Sequence, residues 1–110
     1  LFSREIGATY GTKTVDEIHE YNIDKLFLSV DGIDAEYGIT NSSPFETNVN
    51  RALLSHAKEV IVVADSSKVG ITSFMQMGAV SDVNMLITDS GADPAAIEEL
   101  KNSGIEVIIV

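Results

Sequence analysis

Short apolar runs recur along the chain at intervals that are typical of strands in an α/β domain. Lys25 to Val30 is mostly apolar and stops abruptly at Asp31-Gly32. Val60 to Ala64 is apolar throughout, and further runs follow at Met85 to Thr88 and Glu106 to Val110. Runs of this length without polar alternation are typical of strands that are buried on both faces. The pattern therefore predicts four strands.

Helix signals lie between these runs. Residues 14–21 combine a capping box with apolar residues at helical spacing. Residues 43–57 begin with Ser-Pro-Phe-Glu, in which the serine caps the helix, the proline takes the first helical position and the glutamate completes a capping box. Residues 93–104 begin with Asp-Pro and end at a glycine that supplies a left-handed stop. These segments predict three helices.

Strands that alternate with helices predict an α/β fold with a mostly parallel sheet and helices on both faces. Residues 31–43 form a predicted loop of about 13 residues, which exceeds the usual connection length and favours ligand binding. Residues 71–80 are ambiguous. Their large apolar side chains favour a short element packed on the core over a binding site: Phe74, Met75, Met77 and Val80.

Composition narrows the range of partners. The chain has 110 residues, of which 45% are hydrophobic, and a formal net charge of −10. One domain or part of one is expected at this length. An acidic surface keeps a protein soluble, whereas nucleic-acid binding requires a basic face. The charge therefore argues against direct nucleic-acid binding by this segment.

Several site and targeting classes have no support in the sequence. The chain contains no Cys, which excludes disulfides and thiolate metal sites and fits a reducing cytoplasm. His19 and His56 lack a ligand-type partner at i+4, so we predict no metal site. No glycine-rich nucleotide motif, signal peptide or membrane-length apolar run is visible, so we expect no cofactor and no membrane partner. Because the chain begins at Leu1 rather than Met, we expect a trimmed fragment.

Three predicted strands end in an aspartate, at Asp31, Asp65 and Asp89. Parallel strands would bring all three to the edge where open sheets bind ligands. Aspartate is also common at strand ends because it bonds backbone amides in turns. We favour the turn role for Asp89, and the two roles are balanced for Asp65. Asp31 and Asp34, three residues apart in a glycine-bracketed loop, favour binding of hydroxyl groups through charge-assisted hydrogen bonds.

Lys68 is the cation in the loops that follow these strands. It is either a solvated lysine or a point charge that meets a phosphate or polarises a sugar oxygen. Ser67 beside it offers a hydroxyl group. Glu46 and Ser43 are each better explained as helix caps than as ligands.

Four blocks of sequence stand out: D-K-L-F-L-S-V-D-G-I-D at 24–34, G-I-T at 38–40, A-D-S-S-K at 64–68 and L-I-T-D at 86–89. Together they resemble the C-terminal sensor domain of DeoR-family transcriptional regulators. The resemblance covers nearly the whole chain. It implies a Rossmann-like α/β fold, similar to sugar-phosphate isomerases and CoA-transferases. It also implies a phosphorylated sugar or polyol effector, whose binding releases operator DNA from an N-terminal winged helix-turn-helix.

The chain departs from that family pattern in two ways. It contains no helix-turn-helix, which agrees with its acidic charge. It also lacks the Gly-Thr-Thr and Thr-Asn loops that help hold the phosphate in the earlier part of such domains. The resemblance therefore implies that residues 1–110 are the C-terminal part of a sensor domain, without its N-terminal part and without a DNA-binding domain.

A more distant resemblance to ribose-5-phosphate isomerases is informative by contrast. Asp31 and Asp34 match their D-x-x-D pattern, and residues 64–68 match their A-D-x-S-K block. Asn50 stands where those enzymes carry a glutamate base, and an amide cannot accept a proton from a sugar carbon at neutral pH. The loop after the two aspartates also lacks the lysine that they use. The comparison implies a sensor rather than an enzyme.

The resemblance implies a set of ligand-binding residues: Asp31, Gly32, Asp34, Gly38, Thr40, Glu46, Asp65, Ser67 and Lys68. In this hypothesis the first two aspartates bind sugar hydroxyls, and the lysine meets the phosphate or the oxygen on the first carbon. The glycines let the backbone approach the ligand, and residues 38–41 form the far wall of the site. Two alternatives stay open, an isomerase-like enzyme with Glu46 as base and a structural assembly module. A homo-oligomer is also expected, because the resemblance implies one and because an incomplete sheet would leave an exposed edge strand.

Overall fold

The computed structural model describes residue 18 and residues 20–110. In chain order the elements are β1 (Ile23–Ser29), β2 (Gly32–Asp34), β3 (Gly38–Asn41), α1 (Pro44–His56), β4 (Ala57–Val63), β5 (Met75–Gly78), β6 (Met85–Thr88), α2 (Pro94–Asn102) and β7 (Glu106–Ile109). Short 3-10 turns lie at Ser66–Lys68 and Val80–Asp82. The helix predicted at residues 14–21 falls largely outside the described residues, although Ile18 is helical and fully buried.

The main sheet has four strands in the order β1-β4-β6-β7, and every neighbouring pair is parallel. These are the four strands that the apolar runs predict. The helices α1 and α2 connect them where helical spacing predicts helices. The α/β class with a mostly parallel sheet is therefore confirmed. Because the strands are parallel, the loops after β1, β4 and β6 leave the sheet at one edge.

The helix caps follow the sequence signals. The hydroxyl of Ser43 accepts a hydrogen bond from the backbone N–H of Glu46 at 3.4 Å, which caps α1. The carboxylate of Asp93 accepts one from the N–H of Ala95 at 3.3 Å, which caps α2. Gly104 follows α2 with a φ of 97°, the left-handed conformation that the stop signal predicts.

The two faces of the main sheet differ in exposure. The strand register places Leu28, Val62 and Leu86 side by side, and each is at most 5% exposed. One hydrophobic cluster joins this row to side chains of α1 and α2. The next row points to the opposite face, where Val63 is 44% exposed and Ile108 is 38% exposed. The described helices α1 and α2 therefore bury one face of the sheet. The prediction that helices also cover the other face is not tested by the described residues.

Residues 31–43, predicted as a loop, contain a β-hairpin, so that prediction is wrong. β2 pairs with β3 in antiparallel fashion, and β5 extends them to a second, three-stranded sheet. Ile33 of β2 and Ile39 of β3 are both fully buried. Strands of three and four residues are too short to show the alternation by which a strand is recognised from sequence.

The ambiguous segment 71–80 contains the strand β5. Met77 is 4% exposed, and Val80 packs against the core cluster, as the core interpretation predicts. The prediction fails for Phe74, which is 81% exposed. It lies just before β5, outside the alternation that turns Met77 inward.

We predict that Gly38→Ala destabilises the protein far more than Gly104→Ala. Both glycines have positive φ, a conformation that costs an L-residue about 1–2 kcal/mol. A Cβ at Gly104 would meet nothing within 4 Å, whereas one at Gly38 would clash with the carbonyl oxygen of Gly78. We expect a loss of about 1 kcal/mol for Gly104→Ala and at least about 3 kcal/mol for Gly38→Ala in urea unfolding. Equal losses would contradict the tight packing of the hairpin on β5.

Candidate functional site

A cavity of about 350 Å³ opens between β1 and α1 and reaches the C-terminal end of β1. One wall is the continuous stretch Leu26 to Asp31, and Asn41 closes the end of the hairpin. The opposite wall is a single face of α1, because its residues are spaced three and four apart: Glu46, Val49, Asn50 and Leu53. Its apolar lining includes Val49 and Leu53, each 4% exposed. Its polar groups come from the C-terminal end of β1, the end of β3 and the face of α1.

Asp31 is held at the mouth of this cavity by its own chain. Its backbone N–H donates to the carbonyl of Thr40 at 3.0 Å and to Oδ1 of Asn41 at 3.2 Å. Its Oδ2 accepts hydrogen bonds from the backbone N–H and the hydroxyl of Ser42, both at 2.9 Å. The backbone N–H of Ser42 is the main cause that lowers the pKa of the Asp31 carboxyl, and the hydroxyl adds to it. The group is therefore a preformed carboxylate with Oδ1 facing away from these bonds.

Lys68 lies near this carboxylate. Its positive charge lowers the pKa of both Asp31 and Asp65, although by less than their hydrogen bonds do. Lys68 ends the 3-10 turn after β4, and two contacts tie that loop to β2. Ile33 forms an isolated parallel bridge with Val69, and the N–H of Gly70 donates to the carbonyl of Ile33 at 2.7 Å. The structure thus brings the loops after β1 and β4 together, as the parallel sheet predicts.

Asp65 and Asp89 serve as turn and cap residues. The carboxylate of Asp65 accepts hydrogen bonds from the hydroxyl and the N–H of Ser67, which lower its pKa in that order of strength. Asp89 binds the N–H groups of Ser66 and Gly91, each at 2.9 Å, and these bonds lower its pKa. Asp89 therefore fastens the loop after β6 to the loop after β4. The turn role favoured for Asp89 agrees with this geometry, and Asp65 fills the same role.

Asp34 does not share a cavity with Asp31. Its Oδ2 accepts hydrogen bonds from the N–H groups of Glu36 and Tyr37, both at 2.9 Å, within the hairpin turn. It lines a second cavity of about 120 Å³, between the hairpin and α2, together with Asp93. Side chains alternate between faces along an extended strand, so residues three apart point in opposite directions. The extended backbone of β2 therefore separates the two carboxylates that the D-x-x-D spacing predicts to act together.

The other predicted hairpin residues make contacts within the protein. A Cβ at Gly32 would clash with the carbonyl oxygen of Ile71, and Gly38 has the same relation to Gly78. The hydroxyl of Thr40 donates to the carbonyl of Gly32 at 3.4 Å and accepts from the N–H of Ser73 at 2.8 Å. The close approach that these glycines permit is thus to the protein's own backbone.

Glu46 and Asn50 lie one helical turn apart on the cavity face of α1. The Glu46 side chain is exposed at the mouth, and Asn50 is half-buried and donates from Nδ2 to the sulfur of Met77 at 3.2 Å. Asn50, which stands where the isomerases carry their base, therefore faces the same cavity as Asp31. The arrangement can bind polar groups, but it places an amide rather than a basic group at that position.

Asn41 is a site residue that the sequence predicts only as part of the far wall of the site, at residues 38–41. It is 4% exposed, lines the cavity and holds the backbone of Asp31. The sequence predicts a loop at this position, and asparagine is common in loops, so residue type alone does not single out Asn41. Recognition of the short strand β3, which Asn41 ends, would have indicated its buried position.

Two further findings concern the described part of the chain as a whole. No helix in the described part of the chain is long and apolar enough to cross a membrane. Among the same residues, no group of three His, Asp or Glu side chains could hold a metal ion.

We predict that two serine substitutions shift two carboxyl pKa values separately. Ser67→Ala should raise the pKa of Asp65, because the lost hydroxyl bond is the main cause of its lowering. Ser42→Ala should raise the pKa of Asp31 by less, because the stronger backbone bond remains. Carboxyl ¹³C NMR titration of the wild type and both variants measures these shifts. Each variant should leave the other aspartate unchanged, and a shift in the wrong residue would contradict the assignment.

The lowered pKa values also set the direction of the pH dependence. A carboxyl whose pKa is lowered in the folded state adds stability above the ordinary pKa of aspartate, and this is lost as the pH falls through the lower, folded value. The stability of Ser67→Ala should therefore fall less steeply under acidic conditions than that of the wild type.

The chain is similar to known proteins over most of its length. The family model of the DeoR C terminal sensor domain matches residues 2–90. A proposed aga operon transcriptional repressor of Escherichia coli is 35% identical over 97% of this chain and 40% of its own length. The repressor GlcR of Bacillus subtilis is 35% identical over 91% of this chain and 38% of its own length.

A third relative, the glycerol-3-phosphate regulon repressor of Escherichia coli, is 28% identical over 97% of this chain and 42% of its own length. The chain thus spans about two-fifths of the length of the curated relatives it matches. Since the family model covers most of its residues, the chain belongs to the family of DeoR C-terminal sensor domains.

Proposed function

We propose that this chain is the effector-binding part of a transcriptional repressor of carbohydrate metabolism, and that the effector is a phosphorylated sugar or polyol. The observation that carries the proposal is the cavity at the C-terminal end of β1, where Asp31 meets the polar face of α1. Membership of the sensor family supports a binding role, and the repressor relatives support transcriptional regulation. One relative is named for the glycerol-3-phosphate regulon, which supports a phosphorylated polyol.

The chemistry of the cavity fits a polyhydroxy ligand. A carboxylate accepts charge-assisted hydrogen bonds from hydroxyl groups, and Asp31 presents one that is already ionised and held in place. The volume of about 350 Å³ lies in the range of small-molecule sites. The apolar wall formed by Val49 and Leu53 offers packing for the carbon skeleton of a sugar.

The charged part of the effector requires a cation. The residues that line the cavity carry carboxylates and amides but no Lys or Arg. Lys68, whose charge reaches Asp31, supplies the positive charge for the phosphate or for the oxygen on the first carbon. Within the described residues it forms no ion pair, since the pair within 4 Å there is Lys58 with Asp24, at 3.5 Å. Lys68 is therefore available to a ligand.

The proposal assigns no catalysis to the chain. Asn50 places an amide in the cavity where a proton-transfer enzyme needs a base. Repressor relatives agree with a regulator rather than an isomerase. We also propose that DNA contact belongs to another part of the full-length regulator and that this regulator acts in the cytoplasm, where its operator lies. Measurable turnover of ribose-5-phosphate by the intact protein would contradict this assignment.

We predict that the intact protein binds at least one phosphorylated sugar or polyol, and that Lys68→Ala weakens this binding about tenfold or more. The measurement is titration calorimetry with glycerol-3-phosphate, glucose-6-phosphate, fructose-6-phosphate and ribose-5-phosphate, beside the unphosphorylated sugars. Lys58→Ala is the matched control, because Lys58 lies at the opposite end of β4 and is exposed. It should bind like the wild type. Absence of binding by every phosphorylated compound, or equal effects of the two variants, would refute the proposal.

We also propose that the protein self-associates through the free edge of β1. β1 pairs with β4 on one side, and its other edge has no strand partner among the described elements. Phe27, on this edge strand, is 60% exposed. Asp24 and Lys25 place charges at the start of β1, whereas the rest of the strand, residues 26–29, carries neither the charge nor the proline that commonly protects an edge strand against pairing.

We predict that Phe27→Lys lowers the oligomeric fraction, because a lysine on an edge strand opposes strand addition. Phe74→Lys removes an equally large exposed aromatic residue outside the main sheet and should leave assembly unchanged. Size-exclusion chromatography with light scattering, over a range of protein concentrations, measures both variants. A wild-type protein that is monomeric throughout this range would contradict the proposed assembly.

A further inference from the structure

The side-chain amide of Asn41 has a fixed orientation at the cavity. Its Oδ1 lies 3.2 Å from the backbone nitrogen of Asp31. A backbone N–H can only donate, so the atom that faces it must be the amide oxygen. The amide nitrogen, Nδ2, therefore points away from the Asp31 backbone.

The donor side of this amide has no hydrogen-bond partner among residue 18 and residues 20–110. Nδ2 carries two hydrogens, and no described residue accepts a hydrogen bond from it. Asn41 is nonetheless 4% exposed, and a buried polar group without a partner is costly. In the described part of the chain, the side-chain atom that is both fully enclosed and without a hydrogen-bond partner is Oγ1 of Thr88. Nδ2 of Asn41 is therefore not fully enclosed. The residue lines the main cavity, so this is where the donor finds space.

The neighbouring groups define what the amide can bind. Both side-chain hydrogen bonds of Asp31 use Oδ2, which leaves Oδ1 as an acceptor. Glu46 adds a second carboxylate to the same cavity. A donor next to carboxylate acceptors matches a hydroxyl group, which accepts one hydrogen bond and donates another. A phosphate or carboxylate group would be repelled by the two carboxylates.

We propose that Nδ2 of Asn41 donates a hydrogen bond to a hydroxyl oxygen of the effector, while that hydroxyl donates its own proton to the carboxylate of Asp31. The inference rests on the proposed function and deepens it. It assigns the cavity to the hydroxyl-bearing end of the ligand and places the phosphate outside it. Asn41 then selects for a free hydroxyl group and against an ether, a deoxy position or a phosphate at the same carbon.

The substitution Asn41→Asp separates the structural role from the ligand-binding role. A carboxylate at this position still accepts the hydrogen bond from the backbone N–H of Asp31, but it has no hydrogen to give to a ligand. The buried charge beside Asp31 lowers stability whatever the role of Asn41, so the free energy of unfolding is measured alongside binding and the ligand series described next supplies an independent test. We expect the variant to bind every sugar phosphate of the calorimetric panel that the wild type binds, but about tenfold or more weakly. Ser43→Asp is the control for added charge, since aspartate also caps a helix, and it should bind like the wild type.

A scan of deoxy analogues tests the same contact from the ligand side and does not depend on how the variant folds. The intact wild-type protein is titrated with the tightest-binding sugar phosphate of the panel and with its monodeoxy analogues. One analogue should lose about tenfold in affinity for the wild type and show little further loss with Asn41→Asp, because both changes remove one shared contact.

The outcomes distinguish the two proposals. If no sugar phosphate binds the wild type, the proposed function fails and this inference fails with it. If the wild type binds and Asn41→Asp binds equally well, the inference alone is overturned. Retained affinity of the wild type for every monodeoxy analogue would also overturn it. Coupled losses for one analogue and for Asn41→Asp support it.

Discussion

Parallel pairing of β1 with β4 joins Leu26 to Val60 and Ser29 to Val63, and the position of the candidate site depends on this register. It brings Asp31 and Asp65 out of the sheet at the same edge, one strand apart. The loop after β4 then folds back far enough for Lys68 to act on Asp31. An antiparallel β4 would send its final loop to the opposite edge and leave Asp31 without a nearby cation. The apolar rows that hold the two strands together therefore position the polar chemistry.

The strand-end aspartates show that turn formation and ligand binding need not exclude each other. Asp31 uses Oδ2 to fasten Ser42 and keeps Oδ1 for other partners. The same hydrogen bonds that shape the loop also keep the group ionised, because they favour the charged form. A carboxylate that is fixed by its own backbone loses little conformational freedom when a ligand binds. The hydrogen bonds that form the turn therefore also fix the Asp31 carboxylate in place as an acceptor for a ligand.

Local sequence signals predict the strands of the main sheet and the starts of the described helices. The four strands follow from apolar runs, and both described helices begin at the serine and aspartate caps that the sequence indicates. The hairpin was missed because β2 and β3 are too short to show alternation, and they are stabilised by pairing with β5 far along the chain. This error spread to the site, since an extended β2 sends Asp31 and Asp34 to opposite sides.

The chemistry of the candidate site was predictable in part for the same reason. Lys68 and Asp31 are neighbours because the sheet is parallel, which the order of elements predicts. The sequence predicts Asn41 only as part of the far wall at residues 38–41, because its specific role depends on burial at the end of a strand and on a hydrogen bond to Asp31. Residue type and spacing carry no information about which side of an amide faces its own backbone.

The contact between the N–H of Gly70 and the carbonyl of Ile33, at 2.7 Å, has a mechanical consequence. It couples the lysine-bearing loop to β2, and β2 is continuous with β3 and β5 through the second sheet. In β5, the carbonyl of Gln76 accepts hydrogen bonds from the guanidinium group of Arg51 in α1. A continuous path of hydrogen bonds therefore joins the lysine-bearing loop to α1 through the small sheet.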